Sequence, residues 1–385
     1  MNADLPITRR SLVIGLGLAA LPLPSWVSAQ SSLCSIPSEI ADGWRVAAPE
    51  AVGLGSRQLC SMPAWLDRLQ GSNIHCVLVA RRGMLAFEHY RKGSDYAWGE
   101  SLPDATHGPT SLHDMRSISK SVTSLLVGIA VDRKLLPSID EPAFKYFPEY
   151  ADLRTPAKDR ITIRHLLMMS AGLEWNENLP YTNPNNSEVA MLRSPDRWRF
   201  ALEPRVVSEP GSDWNYSGGC TELLGAIVRR ASGEPIEAFA QETLFTPLGI
   251  SDVTWFRYPD AIPAAASGLR LRSRDLAKIG QLLLQRGQWN DKQVVSAQWI
   301  DESTAPQIGP ADRIYFYGYQ WWLGRSLING REIMWVFASG LGGQRLFVVP
   351  ALDLICVVTA GHYTEAMQNW VPLVIFNRYV LPAVL

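Results

Sequence analysis

The amino-acid sequence predicts an α+β fold in which strands from both ends of the chain share one sheet and enclose a helical middle. Three stretches carry this reading. Residues 76–80 and 84–90 are short apolar runs around the turn Arg81-Arg82-Gly83, the pattern of a β-hairpin. From Ser117 to about Gln288, apolar residues recur at three- and four-residue spacing over 161–169, 220–231, 235–244 and 274–286, which predicts helices. After Trp299 the runs 315–322, 333–337, 344–349 and 354–359 are aromatic or β-branched and broken by Gly, Pro or Asp, which predicts strands.

The other elements follow in order. A lead-in over 30–72 holds one helix near 63–69, and the Gly-, Asp- and Pro-containing stretch from Lys92 to Asp114 reads as a loop. The connection from Gly172 to Val189 is long and irregular, and such loops inside a compact domain are usually functional. A last helix over 367–380 closes the chain. The helical lobe thus covers roughly 115–300 within one domain, 30–385, with no internal repeat and no low-complexity linker.

A chain of 385 residues, 47% hydrophobic and 19% charged, can bury a substantial core. Its formal net charge of -1 removes the electrostatic case for nucleic acid. The basic run Arg270, Arg272, Arg274 and Lys278 is expected to be a helix start with a solvated face. Five cysteines, Cys34, Cys60, Cys76, Cys220 and Cys356, leave at least one thiol free or intermolecular, and Cys220 is assigned to packing. Neither a Cys-x-x-Cys pair nor a His-Glu-x-x-His helix is present, so no metal site is expected, and nothing calls for a cofactor.

The N-terminus carries Thr8-Arg9-Arg10-Ser11-Leu12, an apolar run over 13–23, and Val27-Ser28-Ala29 before Gln30. It reads as an export signal over 1–29, of the twin-arginine type, cleaved near Ala29 to give a periplasmic or secreted protein. The run is about half of the roughly 20 residues that a membrane span requires. Pro22 and Pro24 interrupt its end, and no later stretch is long and apolar enough to span.

The chemistry centres on Ser117-Ile118-Ser119-Lys120. Serine and lysine three apart share a face if the segment is helical, so the lysine can reach the hydroxyl. A lysine buried away from water loses its proton readily and can activate a serine that is otherwise inert at neutral pH. The apolar residues 122–131 would bury that helix, and Ser117 at its start would have free N–H groups beside it. The plain alternative is a capped or solvated helix face. It loses ground because, of the seven lysines, only Lys120 has a serine three positions earlier.

Two further pieces join it. Gly211-Ser212-Asp213-Trp214-Asn215-Tyr216-Ser217-Gly218 precedes a helix, and a tyrosine held between cationic groups can relay a proton. In Ala338-Ser339-Gly340-Leu341-Gly342-Gly343-Gln344, between two strands, glycines would let a backbone N–H approach a substrate oxygen. A nucleotide loop is excluded there because a strand, not a helix, follows.

These motifs resemble the serine hydrolases related to class C β-lactamases, D,D-peptidases and 6-aminohexanoate-dimer hydrolases. The resemblance covers roughly 45–380 and includes Ile161-Thr162-Ile163-Arg164-His165-Leu166-Leu167, Ser170-Ala171-Gly172-Leu173 and Ser267-Gly268-Leu269-Arg270. It implies a β-lactamase/transpeptidase-like fold, an antiparallel sheet flanked by helices and packed on an inserted helical lobe, with the site between them. It further implies Ser117 as nucleophile, Lys120 as its base, Tyr216 as proton shuttle, and the N–H groups of Ser117 and Leu341 as oxyanion hole. Trp175 and Tyr181 of the long loop, with Ser339 and Gly340, are expected to border the substrate, a small ester or amide.

Two departures narrow the reading. Tyr216-Ser217-Gly218 lacks the amide of the family's Tyr-x-Asn, and Ala338-Ser339-Gly340 lacks the cation of Lys-Thr-Gly or His-Thr-Gly. Acyl transfer through an acyl-enzyme, as in the aminohexanoate-oligomer hydrolase branch, is therefore expected ahead of β-lactamase or D,D-carboxypeptidase activity. The reading of another class is a non-catalytic relative that binds peptidoglycan or a partner.

Overall fold

The computed structural model describes residues 34–309 and 314–384, and the expected export segment lies outside them. The strands in chain order are β1 (Arg45–Val46), β2 (Ile74–Arg81), β3 (Met84–Tyr90), β4 (Lys92–Ala97), β5 (Glu100–Thr106), β6 (Leu112–Asp114), β7 (Thr254–Trp255) and β8 (Leu269–Arg272). Then come β9 (Gln288–Trp289), β10 (Lys292–Gln293), β11 (Phe316–Tyr317), β12 (Trp322–Ile328), β13 (Arg331–Gly340), β14 (Gln344–Val349) and β15 (Leu354–Ala360). The helices are α1 (Ser56–Cys60), α2 (Met62–Arg68), α3 (Ile118–Asp132), α4 (Ile163–Leu167), α5 (Ser187–Arg193) and α6 (Arg197–Leu202). They continue as α7 (Gly218–Ser232), α8 (Ile236–Ala240), α9 (Ser273–Leu284), α10 (Ala297–Ser303) and α11 (Met367–Val374).

The main sheet runs β1-β3-β2-β15-β14-β13-β12-β11 and is antiparallel apart from β1 on β3. Within it β2 pairs with β15, so the two chain ends do share one sheet. Strands β2, β14 and β15 are buried along their whole length. Covered on both faces, they read in sequence as continuous apolar runs, not as alternating ones. Leu78, Leu346, Val348, Ile355 and Val357 pack toward the core that holds α3 and α9. Val77, Val79, Phe347, Cys356 and Val358 face the opposite way, onto residues of α1, α2 and α11.

Three expectations need correction. The stretch 92–114 is not a loop: β4 and β5 form a hairpin, and β6 pairs with β8. Its residues are short, polar and partly exposed, so no apolar alternation marks them. The run 315–322 is likewise two strands separated by a turn, and β12 extends to Ile328 beyond it.

The third correction concerns charge. Arg274 and Lys278 are fully buried and Arg270 nearly so, instead of lining a solvated face. Arg274 donates to Glu88 at 2.8 and 2.9 Å, to Asp42 at 3.1 Å and to Ser38 O at 2.7 Å. Lys278 Nζ lies 3.0 Å from Asp275, and Arg270 lies 3.2 Å from Asp114. Apart from Asp275, three residues before Lys278 on the same helix, the partners come from segments far away in sequence, so helical periodicity could not distinguish a paired interior cation from an exposed one. Cys34 and Cys60 form a disulfide, while Cys76, Cys220 and Cys356 are free and buried.

The Arg274 network ties the lead-in, β3 and α9 together. Removing one partner of a buried ion pair strands the others and costs about 3–5 kcal/mol. Arg274→Ala is therefore expected to lower unfolding stability by about that amount in urea titration; a loss below about 1 kcal/mol, typical of an exposed pair, would refute this role.

Candidate active site

Strand β6 delivers the chain to Ser117 through a constrained turn. Asp114 is fully buried, accepts from Trp98 N at 2.9 Å, and lies 2.9 Å from Arg116 Nη2. Arg116 itself has a left-handed backbone, φ 50°. Such a conformation costs about 1–3 kcal/mol and persists where surrounding contacts over-determine it; here the ion pair with Asp114 does so. Ser117 then takes the N-cap position of α3 without a side-chain capping bond, and the residues from Ile118 to Ala130 are all buried.

One helical turn on, Lys120 Nζ donates to Ser117 Oγ at 3.1 Å and to Ala266 O at 3.2 Å. Tyr216 comes from the segment leading into α7, with its ring centroid 5.1 Å from Lys120 Nζ. Asn215 fixes that segment, donating from its backbone to Met169 O at 2.8 Å and from its side chain to Trp175 O at 3.0 Å. The fold thus brings Ser117, Lys120 and Tyr216 together from two helix starts.

The proton inventory differs from the sequence expectation. Burial alone favours loss of the Lys120 proton, but Tyr216, Glu188 and Glu177 outweigh it and hold the pKa above its ordinary value. Tyr216 contributes most to this. Its own hydroxyl is raised by burial, while Lys120 and a hydrogen bond from Ser117 favour its anion. Glu177 is pushed up to about 8, first by burial and then by Glu188.

Neither glutamate was singled out from the sequence. Both sit on or beside the long connection, where nothing in the local pattern marks an inward carboxylate. Glu177 accepts from Trp175 Nε1 at 2.8 Å, from Tyr181 Oη at 2.8 Å and from Gly218 N at 2.7 Å. Trp175 and Tyr181 therefore join the site through Glu177, with their polar atoms engaged by it.

The third piece reaches the same place by close approach. A Cβ at Gly340 would lie 2.3 Å from Met115 O, so only glycine lets the end of β13 press against the segment before Ser117. Leu341 follows at the turn, and Ser339 is half-buried beside it. Ala338 is fully buried and faces the helical side. Arg345 pairs with Ser339 across the strands and is buried, donating to Gly340 O at 3.2 Å, Gln344 O at 2.8 Å and Gln368 O at 3.2 Å. Burial lowers the pKa of its guanidinium to about 10, and Tyr315 and Tyr216 act against that, so its charge is felt beside Tyr216 while its hydrogen bonds go to backbone carbonyls.

An aromatic wall completes the surroundings. Trp322 stacks on Tyr216 at 6.0 Å, and Trp214 and Tyr317 meet Trp322 edge-on at 5.3 and 4.9 Å. These rings come from the turn before α7 and from β11 and β12, and the sequence reading did not assign them. A cavity of about 580 Å³ elsewhere, lined by Trp44, Gln281 and Trp289, contains none of these groups.

Comparison with known proteins gives the family and the fold. The family model described as Beta-lactamase matches residues 76–368. The chain is 24% identical to the 6-aminohexanoate-dimer hydrolase of Paenarthrobacter ureafaciens, over 80% of this chain and 78% of that protein. It is 29% identical to Esterase EstB of Burkholderia gladioli, over 46% of this chain and 45% of the esterase. The octameric penicillin-binding protein homologue of Pyrococcus abyssi has the same fold, with a TM-score of 0.63 at 18% identity over 85% of this chain and 79% of that one. With most of its length matched by the family model, the chain belongs to the Beta-lactamase family.

Proposed function

We propose that the protein hydrolyses uncharged esters or open-chain amides through an acyl-enzyme on Ser117. The observation that carries this is the 3.1 Å contact of Lys120 Nζ with Ser117 Oγ beside Tyr216. Lys120 and Tyr216 act as one acid-base unit. Both groups hold their protons more tightly than usual, so the reactive form is the pair with one proton lost to solvent: with Lys120 charged, the Tyr216 phenolate takes the Oγ proton; with the remaining proton on Tyr216, the lysine amine does. Oγ then bonds to the carbonyl carbon, and the oxyanion is held by the N–H groups of Ser117 and Leu341. Tyr216 gives the proton to the leaving oxygen or nitrogen as that bond breaks. Water, deprotonated by the same pair, releases the acid and restores Ser117.

The substrate class follows from what lines the site. Trp214 and Trp322, partly exposed beside Tyr216, offer apolar surface, and Ala338 offers no charge. The similarity to an aminohexanoate-dimer hydrolase and an esterase supports the same class. β-Lactams and D-alanyl peptides carry a carboxylate beside the scissile bond, which the third motif leaves without a cation. The export signal gives a periplasmic or secreted protein, and the Cys34–Cys60 disulfide supports an oxidising compartment.

Ser117→Ala is expected to abolish turnover and Lys120→Ala nearly so, because the two act as a unit and their losses do not add. A fluorophosphonate adduct found by mass spectrometry on any residue but Ser117, or no labelling at all, would reject the acyl-enzyme. Tyr216→Phe is expected to lower turnover about a hundredfold or more, with amides losing more than activated esters because an amine leaves only once protonated. Equal losses on both would assign Tyr216 to packing. Specificity constants for a short-chain nitrophenyl ester should exceed those for a chromogenic cephalosporin by about ten- to a hundredfold, the worth of one charge-assisted hydrogen bond. Cephalosporin turnover equal to that of the ester would contradict the argument from Ala338.

A further inference from the structure

Outside this site, four metal-ligating side chains converge in the region that the sequence reads as a loop. His75 lies on β2, Asp95 on β4, His107 just after β5 and His113 on β6. One ligand atom from each lies within 4.8 Å of all the others. His75 Nδ1 is 2.8 Å from His113 Nε2, and Asp95 Oδ2 is 3.5 Å from His113 Nε2 and 4.0 Å from His107 Nε2. Four ligands around one zinc, each about 2.0–2.1 Å from it, stand about 3.3 Å apart. The ligand-atom distances, from 2.8 Å to within 4.8 Å, bracket that value, and the His75 and His107 rings, stacked 4.0 Å apart at 12°, must turn against each other for both lone pairs to meet one ion.

The hydrogen bonds on the far side of each ring decide what fills the middle. His75 Nε2 faces Asn73 Oδ1 at 3.0 Å and Ser94 O at 3.1 Å, both acceptors, so that nitrogen carries the proton. The orientation of Asn73 is fixed by its amide donating to Ser94 O at 2.8 Å. His113 Nδ1 faces Asp114 O at 3.1 Å and carries its proton for the same reason. The two nitrogens that meet at 2.8 Å are therefore both bare lone pairs, which repel unless a cation lies between them. His107 Nε2 has no hydrogen-bond partner among the described residues although its side chain is only 7% exposed. Asp95 Oδ1 accepts from Tyr363 Oη at 2.9 Å, leaving Oδ2 turned to the histidines.

The surroundings are built to close on this group. A Cβ at Gly93 or at Gly361 would come within 2.9 Å of the His75 ring, so glycine at both places lets the backbone pack on it. Far-side bonds from ligand histidines to carbonyls, with a hydrogen-bonded carboxylate, are the outer contacts that orient ligands at metal centres.

We propose that His75 Nδ1, His107 Nε2, His113 Nε2 and Asp95 Oδ2 form a structural zinc site. Three imidazoles and a carboxylate suit zinc, and a set of four protein ligands leaves no open position for substrate. The ion would clamp β2, the β4–β5 hairpin and β6 together ahead of the Ser117 turn. Through Asp95 and Tyr363 it would also buttress Gly342, whose Cβ would meet the Tyr363 ring at 2.6 Å.

The test uses the untagged full-length chain, exposed to zinc chloride and exhaustively dialysed. Mass-spectrometric metal analysis is expected to find about one zinc per chain, and cobalt(II) in its place should give the intense visible bands of a four-coordinate site. Asp95→Asn and His107→Ala should each lower the affinity for cobalt about tenfold or more, whereas Ser117→Ala keeps the metal, which separates this site from the hydrolytic one. Chelation should lower the melting temperature. A wild-type chain that retains no zinc and gives no cobalt bands overturns the proposal and makes the cluster a group sharing a proton; unchanged affinity in both variants overturns it by placing the ion elsewhere. If either variant fails to fold, the wild-type cobalt spectrum decides.

Discussion

The ammonium of Lys120 is a positive charge buried in the first turn of α3, and much of the structure around it answers to that fact. A buried charge left alone costs several kcal/mol, so its neighbours must supply both negative charge and acceptors. Ala266 O and Ser117 Oγ accept from it directly. Glu177 and Glu188 come from a connection that folds inward, pinned by Trp175, Tyr181 and the backbone of Gly218. The result keeps a proton available beside Ser117 on groups that are buried. That suits a reaction in which one proton is taken from a serine and returned to a leaving group.

The sequence displayed the parts of the site that are local, or that match the family's motifs as Tyr216 and Leu341 do, and hid the rest. Ser117 and Lys120 are one helical turn apart, so their contact is legible from spacing alone. Gly340 was legible as a glycine in a turn, although its closeness to Met115 needed the fold. Glu177 and Glu188 were not legible, because an inward carboxylate looks like any loop acid until its partners are known. The same blindness applied to Arg274, whose partners Asp42 and Glu88 lie in segments far from it.

Secondary structure followed the same division. Strands β2, β14 and β15 are buried on both faces and announce themselves as apolar runs. The β4–β5 hairpin lies off the main sheet and carries Gly93, Gly99 and Pro103, so propensity argued against it. Strand β12 was missed because its exposed face, including Leu327, breaks the expected alternation. In each case the tertiary surroundings, absent from any local window, overrode the intrinsic preference.

The seam between β2 and β15 has a temporal meaning. Residues near the start of the described chain pair with residues near its end, and the Ser117 helix rests on the sheet that this pairing completes. Until Leu354–Ala360 has been synthesised, β3 and β2 on one side and β14 through β11 on the other have no common sheet. Contacts so distant along the chain form slowly, because the intervening loop must close before they can contribute. A growing or C-terminally shortened chain therefore contains Ser117, Lys120 and Tyr216 without the floor that aligns them. The candidate site comes into being last, after β15 has joined the two halves of the sheet.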